Sequence, residues 1–159
     1  MSRKNRWTIT AAILVVMVLA ACQKRPFYSH YEPVSVEGWE KEDTVSFEIG
    51  PSDDFRHYTM TMGLRATMDF PYRNLSLVVR QEARPSGISH SDTVDIAMTD
   101  RDGIPLGKGV SHLQYDIPLS TIAIVADDTL RVSIHHNMNR YILPGITDIG
   151  LTLAAQQQP

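Results

Sequence analysis

The chain has 159 residues, with 15 Lys+Arg against 18 Asp+Glu, a formal charge of −3 and a single cysteine. That length fits one domain. The acidic excess speaks against nucleic acid as a partner, because phosphate recognition needs a clustered basic surface, and one cysteine excludes a disulfide within the chain.

In chain order, the first seven residues carry Arg3, Lys4 and Arg6 and no acid, and Thr8 to Ala21 then runs without a charge. A basic start, a short apolar core and small residues form the pattern of a secretory signal peptide. The core is shorter than the roughly 20 residues that cross a bilayer. It ends in Leu19-Ala20-Ala21-Cys22, which resembles a bacterial lipobox. The resemblance implies cleavage after Ala21 and acylation of Cys22 as the first mature residue. Other roles for this thiol lack support. A metal site needs several converging ligands, and a reactive thiol needs a structured electropositive pocket. Each buried acyl methylene contributes about 0.8 kcal/mol, so several chains hold firmly where one does not.

Without residues 1–21 the chain keeps 138 residues and its charge becomes −6, since the lost segment holds three bases and no acid. Lys24 and Arg25 then lie beside the anchor, near lipid headgroups. Lipoproteins of the Bacteroidota type that are displayed outside the cell usually carry acids at this point. The opposite sign here favours a domain facing the periplasm, with the outer membrane preferred.

Residues 22–33 read as a tether grading into a first edge strand, 34–155 as the folded domain and 156–159 as a frayed end. From Thr44 the apolar period is two. Val45, Phe47 and Ile49 share one face, and Tyr58, Met60, Met62 and Leu64 share another, opposite Thr59, Thr61 and Gly63. NLSLVVRQ, SDTVDIAM, VSHLQYDI, TLRVSIHH and DIGLTLA supply further runs. Such alternation predicts half-buried strands. Turn residues separate them: Gly50-Pro51-Ser52-Asp53-Asp54, Pro85-Ser86-Gly87, Asp100-Arg101-Asp102-Gly103 and Ala126-Asp127-Asp128. LSTIAIVA is β-branched and short, a strand or an irregular loop rather than a helix. About eight strands imply an all-β, antiparallel β-sandwich of jelly-roll or immunoglobulin-like type.

Chemistry is sparse. His135 and His136 are neighbours in a predicted strand, so they point to opposite faces and do not grip one ion. His136 falls on the apolar face with Leu130, Val132 and Ile134. Asp100-x-Asp102-Gly103 opens like a calcium loop, but its twelfth position is Ser111 rather than a glutamate. The glycines at 103, 107 and 109 precede no helix that would complete a phosphate cradle. They read as a turn and a glycine-punctuated strand. No nucleophile elbow is present, and no residue set calls for a metal or a cofactor. Trp39, alone after cleavage, is thin provision for stacking on sugars.

Several segments in order resemble the GldH family of gliding-motility lipoproteins from Bacteroidota. They are Trp39, Asp43-Thr44-Val45-Ser46-Phe47, Leu64-Arg65, Phe70-Pro71-Tyr72-Arg73-Asn74-Leu75, Asp92-Thr93-Val94, Asp102-Gly103 and Leu106-Gly107-Lys108-Gly109. The closing set is Met138, Arg140, Leu143-Pro144-Gly145-Ile146 and Asp148-Ile149-Gly150-Leu151. Ile104-Pro105 departs from the aromatic residue expected there. The resemblance implies a non-enzymatic accessory lipoprotein of gliding and type IX secretion, partnered with other envelope lipoproteins of that apparatus. Physically, Phe70-Pro71-Tyr72 makes a bend with two rings to cover one end of the sandwich, and Pro144-Gly145 makes a tight corner. Arg73, Asn74 and Arg140 either tie loops together or form a partner-binding patch. The fold class alone would also accommodate a glycan- or peptidoglycan-binding sandwich. A hydrolase would require clustered carboxylates with His57, His112 or His135.

Overall fold

The computed structural model describes residues 26–51 and 56–156. Ala21 and Cys22, the expected cleavage and lipidation positions, lie outside the described residues. Among those described there is no helix. Eleven strands occur, β1 (Tyr28–Pro33), β2 (Trp39–Glu40), β3 (Val45–Ile49), β4 (Arg56–Thr67), β5 (Asn74–Arg84), β6 (Ser89–Ala97), β7 (His112–Pro118), β8 (Ile122–Ile124), β9 (Thr129–His136), β10 (Ile142–Leu143) and β11 (Ile146–Ala155).

The eight longer strands form two antiparallel sheets. One has the order β1-β11-β4-β7, with β8 continuing the β7 side of β4; the other has the order β3-β9-β5-β6. Hydrogen-bonded partners are nested: β1 with β11, β3 with β9, β4 with β7, and β5 with β6. That nesting is a long hairpin rolled into two layers, the jelly-roll arrangement. The fold is an all-β sandwich.

Period-two patterning explains the core. Phe47, Ile49, Met60, Met62, Leu64, Leu77, Leu130, Val132, Ile134 and Leu151 are all at most 2% exposed and meet between the sheets. One-sided burial of this kind pins register, because a slip by one residue turns every apolar side chain outward.

Tyr28–Pro33 is the edge strand into which the tether grades, pairing residue by residue with Leu153 back to Asp148. One expectation changes. The glycine-punctuated strand after Asp102-Gly103 does not form. Isolated bridges, Thr99 with Pro105 and Lys108 with Gln114, stand in its place. A Cβ at Gly107 would fall 2.6 Å from the Tyr115 ring, so the glycine serves close approach rather than a strand. The short β2 and β10 pair with each other as a separate ribbon, Trp39 opposite Leu143 and Glu40 opposite Ile142. The Pro144-Gly145 corner behind β10 forms as expected, with Gly145 at φ 84°.

Candidate functional site

Four connections meet at the end of the sandwich where β1 stops: residues 34–44, 68–73, 98–111 and 137–145. They bring together most of the loop motifs singled out in the sequence. Phe70 and Tyr72 stack edge to face with ring centres 5.6 Å apart. Arg140 Nε donates to the Tyr72 hydroxyl at 2.9 Å. Arg73 Nη2 donates to the Asp100 carbonyl at 2.8 Å, while its own carbonyl accepts from Met98 N at 2.8 Å. Asp100 Oδ1 in turn accepts from the backbone of Asp102 at 2.9 Å and Ile104 at 2.8 Å. Both arginines therefore tie loops while their side chains stay exposed. Asn74 begins β5 opposite Ala97, also exposed.

Beneath these loops lies a buried polar pair. Trp39 is 1% exposed and His136 is fully buried. The indole N–H donates to the Asp43 carbonyl at 3.0 Å, and the two rings meet edge to face at 5.5 Å. His136 Nε2 donates to the Trp39 carbonyl at 3.1 Å, and Nδ1 accepts from Met138 N at 3.4 Å. One neutral tautomer satisfies both contacts. Burial lowers the His136 pKa, opposed by the Trp39 carbonyl and aided by the charges of Lys41 and His135. Because its ring is sealed in, Trp39 offers no platform for a sugar.

A second cluster was invisible as a cluster in the sequence. On the outer face of the β1 sheet, the Tyr31 ring lies across Gly63 and Gly150, which are cross-strand partners. Arg65 sits over that ring at 4.1 Å. Gln114 Nε2 donates to the Tyr31 hydroxyl at 2.7 Å and to Asp116 Oδ1 at 3.0 Å, and Gln114 Oε1 accepts from Arg65 Nε at 3.2 Å. Asp148 is 4.0 Å from Arg65. The signal that points to it is glycine inside a strand pattern, which marks a close approach. The cluster staples the edge strand β1 to β11, β4 and β7.

The histidines do not converge. His57 and His112 flank opposite ends of β4, and His135 lies on the other sheet opposite Val78. Among the described residues no group of three His, Cys, Asp or Glu side chains is placed to hold a metal ion. Among the described residues, four depressions of about 280 to 390 Å³ lie along the sandwich and at this end, and none of the four pairs a histidine with a carboxylate.

A family model described as GldH lipoprotein matches residues 26–153. Over 102 residues the chain is 29% identical to the gliding motility lipoprotein GldH of Flavobacterium johnsoniae, which covers 64% of this chain and 63% of that protein. Over 159 residues it is 26% identical to the gliding motility lipoprotein GldH homolog of Christiangramia forsetii, covering 94% of this chain and 96% of that one. Among solved structures, a family GH115 4-O-methyl-α-glucuronidase superposes with a TM-score of 0.47 at 10% identity, covering 86% of this chain and 18% of the enzyme. With most of its length inside the family model, the chain belongs to the GldH lipoprotein family.

Proposed function

We propose that this chain is a non-enzymatic, lipid-anchored envelope protein that supports gliding motility and type IX secretion through contacts with other envelope lipoproteins. One observation carries the reading: the family match over 26–153 follows directly on the lipobox-like Leu19-Ala20-Ala21-Cys22. Cys22 is the acylated residue, Ala21 the last residue removed, and the fatty chains hold the sandwich at the membrane. Lys24 and Arg25 favour a periplasm-facing position, at the outer membrane. Arg73, Asn74 and Arg140, exposed together at one end, are candidate contact residues.

Two measurements test this. Changing Cys22→Ser should abolish metabolic labelling with palmitate and move the protein from the membrane to the soluble fraction. A variant still held by membranes after a high-salt wash contradicts the anchor. Deleting the gene should lower the abundance of partner lipoproteins and impair secretion. Unchanged levels together with normal export contradict the supporting role.

A further inference from the structure

Seven of the ten large apolar side chains exposed among the described residues sit on the four connections at the Arg73–Arg140 end, and three sit elsewhere. Resting on the Cys22 anchor proposed above, the tether joins the sandwich at the opposite end. Residues 23–27 separate the cysteine from β1, and an extended chain reaches at most about 3.6 Å per residue, so roughly 20 Å in all. Tyr28 pairs with Leu153, which lies opposite Met60, and from there β4 runs on to Thr67, about 23 Å at about 3.3 Å per residue. β1 starts at the near end and runs away from it. These apolar groups are therefore carried at the end of the sandwich opposite to the one where the tether joins.

The sharpest part of this surface is the β2–β10 ribbon with its flanking turn. Gly38 N donates to the Ser35 carbonyl at 3.0 Å, which lifts Val36 to the tip of a turn, wholly exposed. Ile142, 46% exposed, packs on Gly38, where a Cβ would meet its methyl at 2.5 Å. Tyr141, 54% exposed, is held by its carbonyl to Lys41 N at 2.8 Å. Trp39 and Leu143, on the opposite face of the same ribbon, are buried. The ridge is thus preformed, and little ordering entropy opposes binding to it.

Its border on the β2 side is acidic. Glu37, Glu40, Glu42 and Asp43 are all exposed there, and the bases beside the ridge are turned to other partners, Lys41 Nζ to the Met138 carbonyl at 3.0 Å and Arg140 Nε to the Tyr72 hydroxyl at 2.9 Å. The charges of Glu42, Glu40 and Asp43 raise the Tyr141 phenol, which locates them around the ring. Next to the ridge lies a depression of about 390 Å³ whose lining includes Glu32, Asp43 and Val34, wide enough for a basic side chain. We infer that the ridge of Val36, Tyr141 and Ile142 docks an envelope protein whose contact patch is apolar at its centre and basic at its rim. A second copy of this chain does not fit, because a two-fold contact would set acid against acid. Anionic lipid is repelled by the same sign.

The test uses the full-length chain in intact cells of its host, with a photoreactive amino acid at position 36, at 141, or at the control position 88 near the anchored end. Discrete adducts with another protein are expected from 36 and 141 and absent from 88. They should fall about tenfold in a Glu40→Lys/Glu42→Lys variant, as expected when like charges are set against each other across an interface. Both glutamates are exposed, and a melting curve checks that this variant stays folded. Adducts with a second copy or with lipid, equal adducts from 88, adducts indifferent to the charge reversal, or no adducts would each overturn the inference. Fractionation of the same cells separates the two proposals. A protein absent from membranes sinks the anchor, whereas a membrane-held protein without ridge adducts sinks only the docking surface.

Discussion

The phenol of Tyr31 stands directly over Gly63 of the second neighbouring strand, so close that no Cβ could occupy the space between them. The same ring covers Gly150, where a Cβ would sit 2.5 Å from Cε1. Side chain and empty positions together form the staple that keeps β1 in the sheet. Gly63→Ala or Gly150→Ala should therefore lift the ring, break its bond to Gln114 and destabilise the fold by about 1–3 kcal/mol, the usual cost of overpacking. In a Tyr31→Ala background the same glycine changes should cost much less. Denaturant melts of the four combinations measure this coupling, and simple additivity would contradict the staple.

His136 makes stability depend on pH. Its pKa is lowered in the folded protein, so the unfolded chain binds the proton more readily. The stability contributed by the neutral ring is present above the ordinary histidine value, about 6.5, and is lost as pH falls from there towards the folded value. A protonated Nδ1 would also face the N–H of Met138 that it now accepts. Thermal melts at pH 7.5 and 5.5 should differ more in the wild type than in His136→Gln. Equal differences in the two proteins would mean that this ring does not titrate as described.

Trp39 supports the ribbon from below, and Trp39→Ala should destabilise the protein by about 3–5 kcal/mol, the range for large aromatic deletions in cores. Trp39→Phe should cost less, keeping most of the packing and losing the N–H bond to Asp43. Fluorescence-independent melts, by circular dichroism, are the suitable measurement because the substitution removes a tryptophan.

Arg73 and Arg140 make exposed bonds, whose removal costs little. Arg140→Ala and Tyr72→Phe should each change stability by under about 1 kcal/mol, with a small coupling between them in a double-mutant cycle. Arg73→Ala should cost about 1 kcal/mol through the lost bond to the Asp100 carbonyl. Should any of these also serve as partner contacts, crosslinks or co-purified lipoproteins will decline in the variant while its melting temperature barely moves.

Much of the architecture was legible along the chain. Alternation through Val45, Phe47 and Ile49, and through Leu130, Val132, Ile134 and His136, marked which side chains enter the core, and the turn residues marked where strands stop. This information is local, since successive side chains in a strand point to opposite faces whatever lies alongside. The burial of His136 on the apolar face and the Pro144-Gly145 corner follow from the same local rules.

Pairing between distant residues is a different matter, because alternation carries no label saying which strand lies next to which. The rolled order that makes this a jelly roll rather than an immunoglobulin-like sandwich depends on β1 finding β11 and β3 finding β9 across most of the chain. So does the docking of Tyr28–Pro33 as an edge strand, which needs two glycines that meet only after β4 and β11 have paired. The sequence by itself determined a cysteine placed for an anchor and a set of two-faced strands. Only tertiary structure decided that four loops, far apart in the chain, gather at one end and raise an apolar ridge opposite the end where β1 begins, because the gathering is a property of strand partners rather than of any one strand.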